Sequence, residues 1–548
     1  MFQTAAIKNE REGPLLEVKG LQLTFGDTIR LHPLDLTLEH GQTLALVGES
    51  GSGKSLTALA IMQLLPNFCQ MKGEIWFKPQ AESWPLHLSS AKVLQQLRKK
   101  HMAMVFQEPM SALNPVIKCG KQLQEVKADA STLQLREVLN DVQLTEPERM
   151  LNAYPHQLSG GQRQRVLIAM ALLKKASILI ADEPTTALDA SVQKDILKLL
   201  KDLQDKYQFG MLFISHDLGV VKAVAHNLMV LQKGRCLEKG SVNRVFQNPV
   251  SAYTKGLLAC RPSAWPRADR LPELDQVLKT GKVEIPKNRK AYEAANAPAV
   301  LELKNLSFSY SSSQKPIVQD LNLSLYRTQT LALLGESGSG KSTLGRLMCG
   351  LLQPGSGYLR YKERLIGPKD LKGKTEFRRG VQMVFQDPFS SLNPRMRIGD
   401  ALMEPLLYHN ISKKKSDAKN KAFDLLAKTG LDSSAFNRYP HAFSGGQRQR
   451  IVVARSLCLE PEVLICDESV AALDVSVQAK VLNWLKDLQE SFGFAMVFIT
   501  HDVAVARFIS HQLAVLHKGQ LVEYGETESI LKNPQAEYTQ KLLHSVLE

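Results

Sequence analysis

Two stretches of this chain have the composition to cradle a phosphate. Gly48-Glu-Ser50-Gly51-Ser-Gly53-Lys54-Ser55 and Gly335-Glu-Ser337-Gly338-Ser-Gly340-Lys341-Ser342 are identical octapeptides, 287 residues apart. In such a loop the glycines turn backbone N–H groups inward around phosphates. Lys54 or Lys341 would reach the β- and γ-phosphates, and the Ser55 or Ser342 hydroxyl would bind Mg²⁺. Each loop follows an apolar run, Leu44–Val47 or Leu331–Leu334, and precedes a helix-like segment. The expected context is therefore strand, loop, helix.

Three further sets of residues add chemistry to the loops. Asp182-Glu183 and Asp467-Glu468 each end an apolar run, Ser177–Ala181 and Val463–Cys466, that reads as a buried parallel strand. An Asp there can hold Mg²⁺ through water, and the following Glu is placed to polarise the attacking water as general base. His216 and His501 each follow another apolar strand, Met211–Ile214 and Met496–Ile499. A lone histidine would read as structural; one at a strand end in both copies reads as a γ-phosphate contact. Ser159-Gly160-Gly161-Gln162 and Ser444-Gly445-Gly446-Gln447 each open an arginine-containing helical segment. A helix start of that kind exposes free N–H donors and a positive dipole end, an anion site. Each half already has a phosphate loop, so this second site fits the nucleotide held by the other half.

These motifs are parts of a long internal repeat. Val105–Pro115, with Gln107, recurs as Val384–Pro394, with Gln386, and every motif repeats at an offset between 279 and 287 residues. An offset so nearly constant means two homologous domains in tandem, not a short-period solenoid. At 548 residues the chain is too long for one core. Residues 261–298 hold five prolines, mixed charge and no sustained periodicity, which is a linker composition. The expected division is 1–260, a linker over 261–298, and 299–548.

Bulk properties exclude several classes. Apolar runs stop well short of the ~18–20 residues that span a bilayer. Met1 to Pro14 shows no apolar signal-peptide core, so a cytosolic protein is expected. The seven cysteines form no C-x-x-C pair, so neither a disulfide framework nor a zinc site is expected. A net charge of +15 could serve nucleic acid or an anionic membrane. No dense basic tract supports either. After the acidic pairs come Ala187-Leu-Asp189 and Ala472-Leu-Asp474, then amphipathic helices. Val192, Ile196, Leu199 and Leu203 face one way in the first; Val477, Val481, Trp484 or Leu485, and Leu488 in the second. These faces should pack on the sheets.

The ordered set resembles the ATP-binding-cassette (ABC) ATPase family over nearly the whole chain outside the linker. The resemblance implies an α/β fold: two tandem P-loop domains, each with a RecA-like core and a helical subdomain between glutamine loop and signature. It implies ATP and Mg²⁺ as cofactors. Gln107 and Gln386 would be the glutamine-loop residues near Mg²⁺ and the γ-phosphate, and Phe25 and Tyr310 the aromatics that stack on adenine. Ser55, Gln107 and Asp182, and Ser342, Gln386 and Asp467, would surround the metal. One ATP would lie between the first phosphate loop and Ser444–Gln447, the other between the second loop and Ser159–Gln162.

A narrower likeness, to the ATPases of oligopeptide, dipeptide and nickel importers, comes from Gln-Glu/Asp-Pro-x-Ser-Ala/Ser-Leu-Asn-Pro and from the tails Asn248–Leu258 and Asn533–Leu543. Fused two-cassette chains of that family, such as the Yej-type and glutathione-type ATPases, offer the best match. It implies two membrane permease subunits and a periplasmic or extracellular solute-binding protein as partners, no nucleic acid, and a peripheral place on the cytoplasmic face of the membrane. The segments around Glu108–Pro115 and Asp387–Pro394, each with two prolines, are expected to form a rigid ledge rather than a helix and to meet the permeases. A twin-cassette factor acting on ribosomes would carry a longer, highly charged helical linker, and a fused sugar-importer ATPase a degraded second half. The chain departs from the family pattern at Ser469, where proline is usual after the Glu, and at Phe443 before the second signature. Asp467 and Glu468 remain, so the second site is expected to be active. Only Cys260 lies in the tail where some relatives hold an iron–sulfur cluster, so no cluster is expected.

Overall fold

The computed structural model describes residues 13–79, 82–106, 112–185, 188–289, 298–310, 316–373, 375–471 and 473–545. Gln107, Met110, Ala187 and Ala472 lie outside them, and for Pro388 and Phe389 only the backbone is described. The chain divides into two compact units near Leu258.

In the first unit, Thr43–Val47, Gly210–Ser215 and Ile178–Asp182 are buried along their whole length. Strands covered on both faces need apolar residues at every position, which explains runs such as Leu44-Ala-Leu-Val47 without alternation. They sit centrally in a six-stranded sheet. Its order is Arg235–Ser241, Asn227–Gln232, Thr43–Val47, Gly210–Ser215, Ile178–Asp182, Met102–Val105, with only Arg235–Ser241 antiparallel to its neighbour. A four-stranded antiparallel sheet adds Leu16–Phe25 and Cys69–Phe77. The helices Cys119–Val126, Thr132–Asp141 and Pro147–Asn152 follow, before the signature helix Gly160–Leu173.

The second unit repeats this plan. Its six-stranded sheet runs Val381–Val384, Val463–Asp467, Ala495–Thr500, Thr330–Leu334, Gln512–His517, Gln520–Glu526. The long amphipathic helices are Ala190–Tyr207 and Val475–Phe492. In the second, Leu485 is the buried member of the pair that the sequence left open. Trp484 is half-buried and donates through Nε1 to the Lys428 carbonyl at 3.3 Å.

One expectation changes. Pro388–Ser391 is a short helix, not a ledge. Proline is at home in a first turn, where its missing N–H is not needed, and the Asp387 carboxylate accepts from the Ser390 N–H at 3.2 Å to cap the turn. Leu113 and Leu392, which follow in the two segments, are buried in core. Residues 261–289 of the proline-rich stretch group with the second unit. Its helix Leu274–Thr280 buries Leu274 and Val277. Leu271 and Asn483 exchange two hydrogen bonds of 2.8 Å, backbone N–H to Oδ1 and Nδ2 to backbone carbonyl. Proline content hid three apolar anchors, Leu271, Leu274 and Val277.

That packing includes a cluster with a pH signature. Arg507 donates twice to Glu528, at 2.8 and 2.9 Å, and Arg267 adds a third bond at 3.2 Å. Arg507 foremost, with Arg267, holds the Glu528 carboxyl at about 2, below its ordinary 4.5. A depressed carboxylate stabilises the fold above its unfolded-state pKa, and the benefit is lost as pH falls through its folded value. Glu528→Gln should therefore lower the second unit's stability at pH 7 by about 2 kcal/mol. Its thermal midpoint should converge on that of wild type as pH falls from near 4.5 toward 2. A gap that stays constant across this range would contradict the assignment.

Candidate functional site

Each phosphate loop closes on its own lysine. Lys54, 6 % exposed, donates from Nζ to the carbonyls of Gly48 and Glu49 at 2.7 and 3.0 Å. Lys341, 4 % exposed, does the same to Gly335 and Glu336 at 2.7 and 2.8 Å. Burial pushes the Lys341 ammonium down from its ordinary range, against the pull of the nearby carboxylates led by Glu468. Gly51 and Gly53, with φ of 77° and 104°, and Gly338 and Gly340, with 79° and 102°, occupy backbone regions closed to most side chains. At Gly48 a Cβ would lie 2.0 Å from the Leu231 carbonyl oxygen, and at Gly335 2.3 Å from that of Leu516. The loop glycines are thus fixed by conformation and by close approach.

The acids stand beside the loops. Ser55 donates to Asp182 at 3.3 Å, and Ser342 to Asp467 at 3.0 Å. Both aspartates are buried, and burial raises both carboxyls above the usual range. A buried carboxylate and a serine hydroxyl form a hard oxygen donor set of the kind Mg²⁺ prefers.

The glutamates have an unusual backbone. Glu183 and Glu468 have φ of 47° and 45°, the left-handed region. The Glu183 N–H donates to the Ile214 carbonyl at 2.9 Å and the Glu468 N–H to Ile499 at 3.0 Å, which holds the strained turn. His216 Nδ1 lies 3.1 Å from Glu183 Oε1, and His501 Nδ1 lies 3.5 Å from Glu468 Oε1. The hydrogen bond from His501 is the main reason the Glu468 carboxyl sits below its ordinary range. Burial alone would depress His501, but the bond to Glu468 raises it overall. Gln386 donates to Glu468 Oε2 at 2.7 Å. In this second half, glutamine loop and histidine therefore converge on the one Glu468 carboxylate. Gln107, the counterpart in the first half, lies outside the described residues.

The signature residues cap their own helices. The Gln162 N–H donates to Ser159 Oγ at 3.3 Å, and the Ser159 N–H to Gln162 Oε1 at 3.0 Å. Ser444 and Gln447 repeat the pair at 3.4 and 3.1 Å. These reciprocal bonds fix the start of each helix. A Cβ at Gly161 would lie 2.6 Å from Val192 Cγ1, and one at Gly446 2.8 Å from Val477 Cγ1. Gly160 and Gly445 lead into them. Phe443 is buried in the position that Leu158 takes in the first half. Ser469 is buried where the first half has Pro184, and the serine, aspartate, glutamate and histidine contacts around it match those of the first half.

Phe25 packs edge-on against exposed Phe68, with ring centroids 5.8 Å apart, and Tyr310 against Phe308 at 4.9 Å. Phe25 ends the first strand of its antiparallel sheet, Leu16–Phe25, and Tyr310 lies two residues beyond the matching strand Leu301–Phe308. Four residues that the motifs did not single out also touch the machinery. His226 and His511 accept from the N–H of Thr43 and Thr330, which open the phosphate-loop strands. Tyr253 and Tyr538 reach the second residue of each phosphate loop. The tyrosines stand in the two Tyr-Thr tails, which sequence alone gave no structural task.

Known proteins place the chain. The family described as ABC transporter matches residues 31–186 and 318–471. The region described as Oligopeptide/dipeptide transporter, C-terminal region, matches 237–285 and 522–548. The glutathione import ATP-binding protein GsiA of Pectobacterium atrosepticum is 40% identical over 566 residues, 98% of this chain and 90% of that protein. GsiA of Escherichia coli K12 is 40% identical over 564 residues, 97% of this chain and 90% of its own length. A solved structure of cbiO1 from Clostridium perfringens, part of the ABC transporter complex cbiONQ, is 25% identical over 43% of this chain and 92% of its own, with a TM-score of 0.40. Two matched cassettes and a relative alike over almost the whole length show that the chain belongs to the ABC transporter family, as two ATP-hydrolysing cassettes on one polypeptide.

Proposed function

We propose that this chain energises import of peptides or peptide-like solutes, glutathione among the candidates, through separate permease subunits. One observation carries the reading. Phosphate-loop lysine, serine–aspartate pair and glutamate–histidine pair recur with the same contacts in both halves. We take 1–260 and 299–548 as the two cassettes, joined by 261–298.

In each cassette the loop N–H groups and the Lys54 or Lys341 ammonium hold the ATP phosphates. The Glu183 or Glu468 carboxylate accepts a proton from the attacking water. His216 or His501 orients that carboxylate and faces the γ-phosphate. Ser55 with Asp182, and Ser342 with Asp467, joined by the glutamines Gln107 and Gln386, fit Mg²⁺. That ion when bound neutralises charge developing on the transferred phosphoryl group. Phe25 and Tyr310 stack on adenine. Ser159–Gln162 and Ser444–Gln447 supply N–H donors to phosphate.

Among the described residues no helix is long and apolar enough to cross a membrane. The work of hydrolysis is therefore assigned to two permease subunits, with a solute-binding protein acting through them, at the cytoplasmic face of the membrane. In the second cassette a cleft of about 820 Å³ opens beside the glutamine loop, bordered by Gln386, Asp387, Ser390, Glu404, Tyr408 and Arg455. Tyr408 is 54 % exposed at its rim. A permease segment seated there would feel any movement of Gln386, which is bonded to Glu468. Phe389→Asp combined with Tyr408→Asp should release the chain from membranes that hold its permeases, with ATP affinity unchanged. Sedimentation of the variant with those membranes at wild-type levels, or of the wild type with ribosomes, would overturn the reading.

A further inference from the structure

Each cassette carries a tail beyond its core, and each tail returns to the phosphate loop by the same route. In the first, the Glu238 carboxylate, 6 % exposed, accepts from the N–H groups of Val250 and Ser251 at 2.9 and 3.1 Å. Those bonds seat the start of the helix Ala252–Ala259. Tyr253, in its first turn, is 1 % exposed, and its hydroxyl accepts from the Glu49 N–H at 3.2 Å. The same hydroxyl donates to Glu49 Oε2 at 3.3 Å. Glu49 in turn offers its carbonyl to Lys54 Nζ at 3.0 Å.

The second cassette repeats the chain of contacts. Glu523 accepts from the N–H groups of Gln535 and Ala536 at 2.9 and 3.3 Å. The helix Glu537–His544 follows, and the Tyr538 hydroxyl accepts from the Glu336 N–H at 3.2 Å. The Glu336 carbonyl holds Lys341 Nζ at 2.8 Å. His517 packs on the Tyr538 ring with centroids 3.9 Å apart. The partners lie 204 and 202 residues apart in sequence, so the contact is a property of the fold in both halves, not of local chain geometry.

We infer that Tyr253 and Tyr538 are positioning residues for ATP binding: each fixes the second residue of its phosphate loop, and through that residue's carbonyl the loop lysine. Both tyrosines, and the glutamates that seat them, lie in the region matched as the C-terminal region of oligopeptide/dipeptide transporters. The tail is thus part of the nucleotide site in each cassette. A loop of small residues needs such a brace, because its N–H groups must face phosphate before the ligand arrives. A phenol that both accepts and donates can hold Glu49 from two sides; phenylalanine fills the same space and holds neither.

The inference rests on the assignment of the two loops to ATP, and the experiment separates the two. With Lys341→Ala the full chain should bind one MgATP, at the first cassette. Tyr253→Phe in that background should weaken this binding by about five- to tenfold, the effect of one lost hydrogen bond and one stranded N–H. Glu49→Gln added to Tyr253→Phe should weaken it little further. Tyr538→Phe in the Lys54→Ala background should behave like Tyr253→Phe. In the otherwise wild-type chain, the two Tyr→Phe changes together should raise KM for ATP by a similar factor and leave kcat within about twofold, with the thermal midpoint almost unmoved. Affinity within twofold of the parent in both cassettes would overturn the inference. So would an affinity loss that appears only alongside a matching loss of thermal stability. A Lys341→Ala chain that still binds two MgATP would instead overturn the assignment of the loops.

Discussion

Glu183→Gln combined with Glu468→Gln should leave ATP binding intact and slow hydrolysis by about 10²–10⁴-fold. Glutamine keeps the shape of glutamate and can still meet the histidine, but it cannot take a proton from water. The geometry makes the substitution clean. Each glutamate sits in a left-handed turn held by its own N–H bond to the next strand, and that bond does not depend on the side chain. The carboxylate is also kept ready as a base. His501 holds Glu468 below its ordinary pKa, so the residue stays ionised and able to accept a proton across the neutral range. The measurement is single-turnover hydrolysis of labelled ATP by the full chain, with bound nucleotide counted in the same sample. Two ATP per chain are expected, since the second site keeps the contacts of the first despite Ser469. Hydrolysis within about twofold of wild type would sink the general-base assignment, and one bound ATP per chain would refute two competent sites.

Much of this arrangement was legible because the motifs encode local backbone demands. A Gly-x-x-x-x-Gly-Lys-Ser loop has few other uses, and short apolar runs without alternation that lead into such a loop or an acidic pair read as strands buried on both faces. The pairing of Ser55 with Asp182 spans 127 residues and was still foreseeable, because Ser55 opens the helix after the phosphate loop that follows one strand of the parallel sheet, and Asp182 ends another strand of it. What was hidden depends on tertiary context. The left-handed backbone of Glu183 and Glu468 has no local signature, since residues other than glycine rarely adopt it. The braces from Tyr253 and Tyr538 join segments more than 200 residues apart, and a tyrosine in a tail looks the same whether or not its hydroxyl has a task. In the 261–289 stretch, composition hid the packing. Five prolines between residues 262 and 298 break periodicity, yet the burial of Leu271, Leu274 and Val277 suffices to dock it. Pro388 misled in the same way: proline excludes helix interiors but not first turns.

Lys54→Ala and Lys341→Ala should each abolish ATP binding at one site and leave the other site occupied. Both ammonium groups are nearly buried, and without nucleotide they are held by two carbonyls of their own loop. An ammonium has three N–H donors, and two of them hold the loop carbonyls, so the third can turn to the β- and γ-phosphates, whose charged oxygens are stronger acceptors than carbonyls. A hydrogen bond to a charged group is worth about 1.5–3 kcal/mol, which is roughly 10- to 150-fold in affinity for each one lost. Alanine removes at least one such bond and leaves the charge of the phosphates without its matching cation. It also strands the carbonyls of Gly48 and Glu49, or of Gly335 and Glu336, so the empty loop loses its internal brace as well. Equilibrium dialysis with labelled ATP at a concentration that saturates wild type should count two nucleotides per wild-type chain, one per single variant and none in the double variant. Transport-coupled turnover should fall severely in both single variants, because the two cassettes are assigned to one cycle. A single variant that still binds two nucleotides, or transports at the wild-type rate, would show that the lysine it lacks does not hold the phosphates.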